Sequence, residues 1–368
     1  MAGEPKRNRF HSLCPYFAMF PESFVETWVE RLTKPSQVVL DPFCGRGTTP
    51  FQSLLMGRRA IGCDVNPVAY CISRAKTRRI SAAAVRRRVT QLESQFNPDE
   101  WEASRRRLPE FFRVAFSPLT LRQVLFLRQH LEWRRNPSDC MIAALLLGCL
   151  HGESNKSPSY LSNQMPRTIS TKPGYSVRYW IKHGFTAPRR DAFELARKMI
   201  TFRYESALPG GHAEIVNEDM RNLPITLGKR RKIGCVITSP PYFDVTNFEE
   251  DQWLRLWFLG GPPHPTQGRV SRDDRHGDAA KYWTFIADMW RMLGQTVSKE
   301  ADVVVRLGTS RGDAEELPKL LAECGKFSQR SVSLVTSEIS PLRRRQTDSF
   351  RPGTAGCRFE VDCHFRLH

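Results

Sequence analysis

An apolar run that stops at two prolines constrains the fold of this chain more than any other stretch. Residues 233–237 read Ile-Gly-Cys-Val-Ile, and Thr-Ser-Pro-Pro-Tyr follows at 238–242. Branched apolar residues favour a buried strand, and proline ends it because proline fixes φ and lacks the backbone N–H of the ladder. In open α/β sheets, ligands bind beyond the carboxyl ends of the strands. The run therefore predicts a strand that presents a hydroxyl, free carbonyls and an aromatic ring to a crevice; an ordinary strand-ending turn is the alternative.

A glycine-rich turn follows another predicted strand near the N-terminus. Val38 to Asp41 is the strand, and Pro-Phe-Cys-Gly-Arg-Gly leads into a helix that begins at Thr48. Glycines let the backbone pass close to a ligand, and a helix N-terminus offers free N–H groups to an anion. The turn lacks the Gly-Lys-Ser/Thr ending of phosphate-binding loops.

Ala60 to Cys63 predicts a third strand, and Asp64 ends it 23 residues after Asp41, near the spacing at which an acidic residue binds ribose hydroxyls. A solvated cap is the alternative for this carboxylate.

These stretches resemble the DNA amino-methyltransferases, which use S-adenosylmethionine to methylate an exocyclic amine of a base. Asp-Pro-Phe-x-Gly-x-Gly-Thr-Thr (41–49) and Ser-Pro-Pro-Tyr (239–242) carry the resemblance. Ile-Gly-x-Asp-x-Asn-Pro (61–67), Phe-Pro-Glu (20–22) and the acidic residue after a short strand at 214–216 add to it. The resemblance covers about 10–66 and 213–368. It implies that the cofactor contacts are Phe20, Pro21, Asp41, Phe43, Gly45, Gly47, Thr48, Thr49, Asp64, Asn66 and Asp219.

The resemblance also implies the catalytic residues Ser239, Pro240, Pro241 and Tyr242. The lone pair of a base amine is delocalised into the ring, which makes the nitrogen a poor nucleophile. Ser239 Oγ and the Pro240 carbonyl can accept its two hydrogens and turn the lone pair toward the methyl group. Tyr242 offers a ring on which a flipped base can stack.

Serine at position 239 is similar to the N4-cytosine branch, whereas aspartate is usual in the N6-adenine branch. The expected reaction is therefore methyl transfer to N4 of cytosine in DNA. N6-adenine methylation, RNA methylation and a non-catalytic nucleic-acid-binding protein stay open as alternatives. Methylation at C5 of cytosine is disfavoured because no Pro-Cys motif follows a strand.

The charge of the chain indicates a polyanionic partner. The net charge is +18, and arginine clusters recur from Arg78 to Arg345. Nucleic acid is the partner that such a charge favours, and the resemblance implies double-stranded DNA with a flipped base. A companion restriction endonuclease could accompany such an enzyme, and the oligomeric state stays open.

Ten scattered cysteines, without a Cys-x-x-Cys pair, predict reduced and mostly buried side chains and no metal site. Residues 1–10 do not resemble a signal peptide, and the longest apolar run, 141–150, is too short to span a bilayer, so a cytoplasmic location is expected.

The predicted fold is α/β, a Rossmann-like seven-stranded methyltransferase sheet with a helical insertion. The expected parts are 1–70 as the N-terminal half of the core, 71–205 as a basic helical insert for target recognition, and 206–368 as the C-terminal half. Within the insert, residues 154–185 mix amides, hydroxyls, basic groups and aromatics, the set that contacts phosphates and base edges. A polar surface loop is the alternative. The expected DNA contacts are Tyr160, Asn163, Arg167, Lys172, Tyr175, Arg178 and Lys182.

Patterns in the last third predict further elements. They are helices over 247–259, 282–297 and 317–324, a strand over 301–308, and an antiparallel end pair over 332–335 and 359–365.

Overall fold

The computed structural model describes residues 7–16, 20–153, 159–165, 172–228, 232–243, 248–268, 278–309, 314–342 and 357–368. The chain forms two compact units. The sheet unit comprises Tyr16–Thr77, Pro209–Asn247 and Gly268–His368. The helical unit comprises Met1–Pro15, Arg78–Leu208 and Phe248–Gln267. The helical unit therefore takes in 1–15 and 248–267, which the sequence analysis assigned to the core, while residues 71–77 lie in the sheet unit rather than in the insert.

The described residues of the sheet unit form one seven-stranded sheet, and the predicted α/β fold is confirmed. Its strands are β1 (Val38–Asp41), β2 (Arg59–Cys63), β3 (Glu214–Val216), β4 (Ile233–Thr238), β5 (Ala301–Thr309), β6 (Val332–Pro341) and β7 (Phe359–Leu367). The strand order is β3-β2-β1-β4-β5-β7-β6. The first five strands pair in parallel, and β7 pairs antiparallel with both β5 and β6. The chain winds outward from β1 in one direction and from β4 in the other, so the crevice beyond these two strands is the switch point where α/β sheets bind ligands.

The helices are numbered along the chain. They are α1 (Glu22–Leu32), α2 (Thr48–Leu55), α3 (Pro67–Thr77), α4 (Ala82–Ser94), α5 (Glu102–Arg107), α6 (Glu110–Ala115), α7 (Pro118–His130), α8 (Pro137–Leu147), α9 (Pro173–Lys182), α10 (Ala192–Arg203), α11 (Leu223–Leu227), α12 (Phe248–Asp251), α13 (Trp253–Phe258), α14 (Ala279–Thr296) and α15 (Leu317–Gly325). Where one helix was expected over 247–259, the chain forms the two short helices α12 and α13. Strand β6 extends six residues beyond the predicted 332–335.

Apolar residues cover both faces of the sheet. Neighbouring residues in a strand point to opposite faces, so Val39 packs with Trp28 of α1 on one face, while Leu40 packs with the cluster that includes Trp290 of α14 on the other. Burial on both faces is what makes the parallel strands read as continuous apolar runs rather than alternating ones.

The helical unit is centred on α8, whose residues from Asp139 to Leu147 are all buried. A helix that is apolar all round must be covered on every side, and α4 and α10 pack against it. The buried Asp139 carboxylate pairs with Arg88, with 2.7 Å between Oδ1 and Nε. No helix among the described residues is both long and apolar enough to cross a membrane.

Candidate active site

The predicted cofactor loop and the predicted catalytic segment lie side by side at the carboxyl ends of β1 and β4. Two hydroxyls join them. Thr238 Oγ1 donates to Asp41 Oδ1 at 2.7 Å, and Thr49 Oγ1 donates to the Ile237 carbonyl at 3.2 Å. Both threonines are fully buried. The last residues of β4 are therefore bonded to the loop that follows β1 and to the start of α2.

Two glycines with positive φ shape the loop. Gly45 has φ of 49° and Gly47 of 75°, a region that disfavours residues with a Cβ. A Cβ on Gly47 would also lie 2.5 Å from Ser73 Oγ. The Gly45 N–H donates to Asp64 Oδ2 at 2.8 Å, and its carbonyl accepts from Ser73 Oγ at the same distance. The loop is thus held from β2 and α3, and it leads into the N-terminus of α2.

Asp41 is a fully buried carboxylate at this end of the sheet. Burial raises its pKa to about 6, and the Thr238 hydrogen bond, the neighbouring Thr49 hydroxyl and the Phe43 N–H oppose that shift. Its Oδ1 accepts from Thr238 and from Phe43, whereas Oδ2 is buried and meets no donor within hydrogen-bond distance in the described residues. A buried carboxylate oxygen without a donor is an acceptor site for a cationic or N–H group.

The other predicted polar contacts lie beyond β2 and β3. Asp64 Oδ1 accepts from the Asn66 N–H at 2.9 Å. The Asn66 side chain is buried, with Oδ1 accepting from the Val68 N–H and Nδ2 donating to the Tyr16 hydroxyl. These bonds use the amide of Asn66 to shape the turn into α3. Asp219 pairs with Arg221 at 2.6 Å and caps the short turn that follows it.

The remaining predicted cofactor residues supply packing. Phe20 is buried with its ring 5.1 Å from that of Phe24, and Pro21 directly precedes α1. Phe43 lies with its ring 5.3 Å from that of Phe285. Thr48 begins α2 and is buried.

Tyr242 turns its ring toward β5 and β7. A Cβ on Gly308 would lie 2.6 Å from Tyr242 Cε2, so the ring edge occupies the space that a side chain on β5 would fill. The Tyr242 hydroxyl donates to Glu360 Oε1 at 3.1 Å. Burial, together with the Glu360 carboxylate, holds the pKa of Tyr242 well above its ordinary value. Pro240 is buried, and Ser239 and Pro241 are partly exposed.

Sequence reasoning missed Glu360, Arg306 and Gly308. All three lie on β5 or β7 behind the catalytic segment, in register with Arg306 opposite Asp362 and Gly308 opposite Glu360. In the sequence, Glu360 and Asp362 alternate with apolar residues of β7. This alternation is the one feature that could have predicted paired charges on a buried strand.

The predicted DNA contacts divide into two groups. Tyr160 and Asn163 are buried: the Tyr160 ring packs on Gly152, and Asn163 Nδ2 donates to the Val114 carbonyl. The structure corrects their assignment, because these side chains pack inside the helical unit. Arg167 lies outside the described residues. The exposed group, on α9 or at its N-cap, is Lys172, Tyr175, Arg178 and Lys182.

Helix α9 and the residues that directly follow it carry a row of aromatic rings. The Tyr175 and Tyr179 centroids are 6.3 Å apart, Tyr179 and His183 are 4.2 Å apart, and Phe185 lies 5.9 Å from His183. Val177 and Trp180 bury the opposite face of the helix. Residues 172–190 contain five basic and no acidic residues, and 78–208 contain 23 basic against 11 acidic.

Cysteine and metal chemistry find little support in the described residues. All ten cysteines are free and buried, as the sequence predicts for most of them. No group of three or more His, Cys, Asp or Glu side chains placed to hold a metal ion occurs in the described part of the chain.

Known proteins match this chain over limited segments. A family model for DNA methylases of the N6 and N4 type matches residues 3–74, which include the glycine loop but not Ser239 to Tyr242. The type II methyltransferase M.MjaII of Methanocaldococcus jannaschii is 30% identical over 76 residues, 21% of this chain and 14% of that protein. The type II methyltransferase M.MvaI of Kocuria varians is 29% identical over 119 residues, 30% of this chain and 25% of that protein. The matched segments thus span a quarter or less of these relatives.

Among solved structures, an rRNA methyltransferase of Streptomyces viridochromogenes aligns with 97% of this chain and 89% of its own, at 15% identity and a TM-score of 0.33. The sequence matches confirm the resemblance to the DNA amino-methyltransferase family.

Proposed function

From this resemblance to the DNA amino-methyltransferases, we propose that the chain transfers a methyl group from S-adenosylmethionine to an exocyclic amine of a base in DNA, with N4 of cytosine as the target. The observation that carries the proposal is the junction at β1 and β4. There Asp41 of the glycine loop is hydrogen-bonded to Thr238, the residue before Ser239. The cofactor loop and the amine-accepting segment therefore form one framework at the switch point of the sheet.

The residues at this junction fit S-adenosylmethionine. The buried Asp41 Oδ2 offers an acceptor to the ammonium group, and the N-terminus of α2 offers N–H groups to the carboxylate. The ring of Phe43 provides an apolar wall. Asp64 and Asp219, at the ends of β2 and β3, would contact the ribose and adenine side. When bound, the cofactor supplies a methyl group whose S–C bond breaks, with its electron pair left on sulfur, as the new N–C bond forms.

Two oxygen acceptors of the catalytic segment act on the amine. Ser239 Oγ and the Pro240 carbonyl accept its two N–H hydrogens, which directs the nitrogen lone pair toward the methyl group. Stiff proline backbone at 240 and 241 holds these acceptors in place. The nitrogen then loses one proton through these oxygens to water. The neutral hydroxyl of Ser239 suits the more polarised amine of cytosine, which supports N4-cytosine over N6-adenine. Burial of all ten cysteines disfavours C5 methylation, which needs an accessible thiolate.

The exposed face of α9 is the proposed DNA contact. Lys172, Arg178 and Lys182 neutralise phosphates, and Tyr175 offers an exposed ring beside them, with 56% of its surface accessible. The excess of positive charge over 78–208 supports this placement. A companion endonuclease and the cytoplasmic location remain predictions, and the oligomeric state stays open.

Incubation with labelled S-adenosylmethionine and unmethylated mixed-sequence DNA, followed by nucleoside digestion and mass spectrometry, tests the proposal. N4-methyldeoxycytidine is the expected product. N6-methyldeoxyadenosine would be consistent with the same site but would contradict the inference that Ser239 indicates cytosine as the target. Absence of any methylated deoxynucleoside, with RNA methylated in parallel, would overturn the DNA substrate. Saturating cofactor should also raise the thermal unfolding temperature, and no shift would favour a non-catalytic binding protein.

A further inference from the structure

Four rings form a continuous row along α9 and the turn that follows it. Tyr175, Tyr179 and His183 are four residues apart, a spacing that places side chains on one face of a helix. Their centroids are 6.3 and 4.2 Å apart, with angles of 29° and 32° between the ring planes. Gly184 has φ of 64°, and the turn it makes brings Phe185 edge-on to Tyr179, 6.0 Å between centroids. Each ring in the row is therefore supported by a neighbour.

One face of α9 is buried, whereas both ends of the ring row are exposed. Trp180 is fully buried, its Nε1 donates to the Gln164 carbonyl at 3.0 Å, and its ring lies 5.7 Å from that of Phe111. These contacts fix the helix to its unit. Tyr175 and Phe185, the two ends of the row, are 56% and 47% exposed. Grouped exposed rings on a fixed helix are typical of a contact surface for a partner.

The charge beside the rings indicates which partner fits. Residues 172–190 contain five basic and no acidic residues, which favours a polyanion. A Cβ on Gly174 would lie 3.5 Å from Arg178 Nη1, so this guanidinium lies beside the backbone that precedes Tyr175. Bases in an intact duplex present their edges to the grooves, because their faces stack on neighbouring bases. Ring faces next to cations instead match a strand whose bases are unpaired, with rings stacked on bases and cations on phosphates.

We propose that the ring row of α9 is a stacking surface for unpaired bases, so that the protein binds single-stranded DNA more tightly than an intact duplex of the same sequence. The inference deepens the proposed function and rests on its assignment of α9 to DNA. Tyr175 and Phe185 stack on the bases, and Arg178 neutralises a phosphate beside them. Methylation of an exocyclic amine requires the base to leave its stack, and that step costs least where the strand is already unpaired.

Abasic DNA separates stacking from phosphate contact. The probes are a fluorescein-labelled oligothymidylate and an abasic tetrahydrofuran oligomer of the same length, which carry the same phosphates. Oligothymidylate annealed to oligodeoxyadenylate provides the duplex. We expect the full chain to bind oligothymidylate about tenfold or more tighter than the abasic oligomer, and also more tightly than the duplex, because only unpaired bases offer free ring faces. Anisotropy titrations measure the three Kd values.

Two substitutions locate the stacking on α9. Tyr175 and Phe185 are exposed, so Tyr175→Ala and Phe185→Ala leave the buried face of the helix intact. Each should weaken binding of oligothymidylate by about 5- to 100-fold and leave binding of the abasic oligomer within about twofold. The slope of log K against log salt should not change, since no phosphate contact is lost. Tyr175→Trp should retain tight binding.

Phe202→Ala is the matched control. Phe202 is 44% exposed in the same unit, but the Arg9 guanidinium already covers its ring, 4.3 Å from the centroid. A covered ring offers no free face to a base, so this substitution should leave all three Kd values within about twofold.

The outcomes separate the inference from the proposed function. Equal affinity of the wild type for oligothymidylate and the abasic oligomer overturns the inference, and so does tighter binding of the duplex. An equal loss on both oligomers in Tyr175→Ala also overturns it, since that result assigns the ring to the fold of α9. Base-dependent binding that Tyr175→Ala removes supports the inference. If the same wild-type protein then transfers no methyl group to DNA, the proposed function alone is overturned.

Discussion

Asp41 combines a function with a cost in stability. Its pKa is about 6 in the folded protein against an ordinary 3.8, because burial disfavours the charge. A carboxyl with a raised pKa destabilises the fold when it ionises: this cost is absent below pH 3.8, grows as the pH rises and is complete above about 6. A cationic group that approaches Oδ2 would offset it. The ionised Asp41 carboxylate therefore favours binding of a cationic ligand and destabilises the free protein.

Replacing Asp41 with Asn should separate these effects. We expect the free energy of unfolding at pH 8 to rise by on the order of 1 kcal/mol. The shift of the Asp41 pKa alone corresponds to about 3 kcal/mol. The net gain is smaller because the N–H groups of the introduced amide would lack an acceptor. The gain should shrink between pH 6 and pH 4. Affinity of the wild type for S-adenosylmethionine should fall about tenfold per pH unit below 6, and that dependence should vanish in the weakly binding variant. Calorimetric titration and denaturant unfolding across this range measure both, and a variant of unchanged affinity would remove Asp41 from the site.

Ser239→Ala tests the catalytic assignment. Loss of the acceptor should lower kcat by on the order of a hundredfold or more, as for removal of one preorganised polar group. Cofactor and DNA affinity should stay within about twofold, since the hydroxyl acts on the reacting amine. Steady-state kinetics and a DNA shift assay measure the two parts, with Ser337→Ala on the exposed strand β6 as control. A parallel loss of DNA binding would contradict the role.

Candidate site residues such as Asp41 and Ser239 can be proposed from the sequence because each lies in a short motif whose members are neighbours along the chain. Glu360 lies 118 residues after Tyr242 and meets it only because β7 inserts antiparallel beside β5. Tyr160 and Asn163 show the reverse error. Polar and aromatic side chains of this kind are common at DNA-binding surfaces. Here Tyr160 packs on Gly152 and Asn163 is hydrogen-bonded to Val114, and residue type alone does not predict these contacts.

Among the elements, parallel strands are the easiest to predict. Strands β1 and β4 are buried on both faces, so their apolar runs are unbroken and their ends are marked by Asp41 and Pro240. Strand β6 is different: most of its residues are exposed, and Ser, Thr and Glu beyond Val335 hide the strand from an alternation test. Its pairing with β7, rather than its own pattern, extends it to Pro341.

The packing of β5 against the catalytic segment yields a prediction at this scale. Gly308→Ala places a Cβ 2.6 Å from Tyr242 Cε2, so the tyrosine ring must shift and its hydrogen bond to Glu360 must lengthen. We expect kcat to fall about tenfold or more, since positioning errors of this size are costly in catalysis. Gly234→Ala in β4 is the matched control, because nothing lies within 4 Å of its Cβ. Kinetics and thermal unfolding of both variants measure the effect, and equal activity would show that the ring can move without consequence.

At the scale of the whole molecule, charge is unevenly distributed between the two units. Residues 78–208 of the helical unit carry a net charge of +12 out of +18 for the chain. The sheet unit keeps carboxylates at the site, namely Asp41, Asp64 and Asp219. In the proposed function, such a division would let one part of the chain attract phosphates while another offers acceptors to a cationic cofactor. The sequence predicts a basic insert from charge and helix periodicity, but not that 7–15 and 248–267 pack with it, since such contacts depend on tertiary structure.

Arg178 provides the test of this division. It is exposed on α9 beside Lys182, and if it neutralises one phosphate, Arg178→Ala should weaken DNA binding similarly for all sequences and lower the slope of log K against log salt by about 1. Lys198→Ala removes an exposed positive charge from the same unit, but that charge already pairs with Glu194 at 2.7 Å, so its slope should change little. Anisotropy titrations at several salt concentrations measure both slopes. Equal slopes for the two variants would mean that diffuse charge attracts the DNA, whereas a loss confined to Arg178→Ala would locate the contact on α9, because counterion release reports only the phosphates that a side chain neutralises.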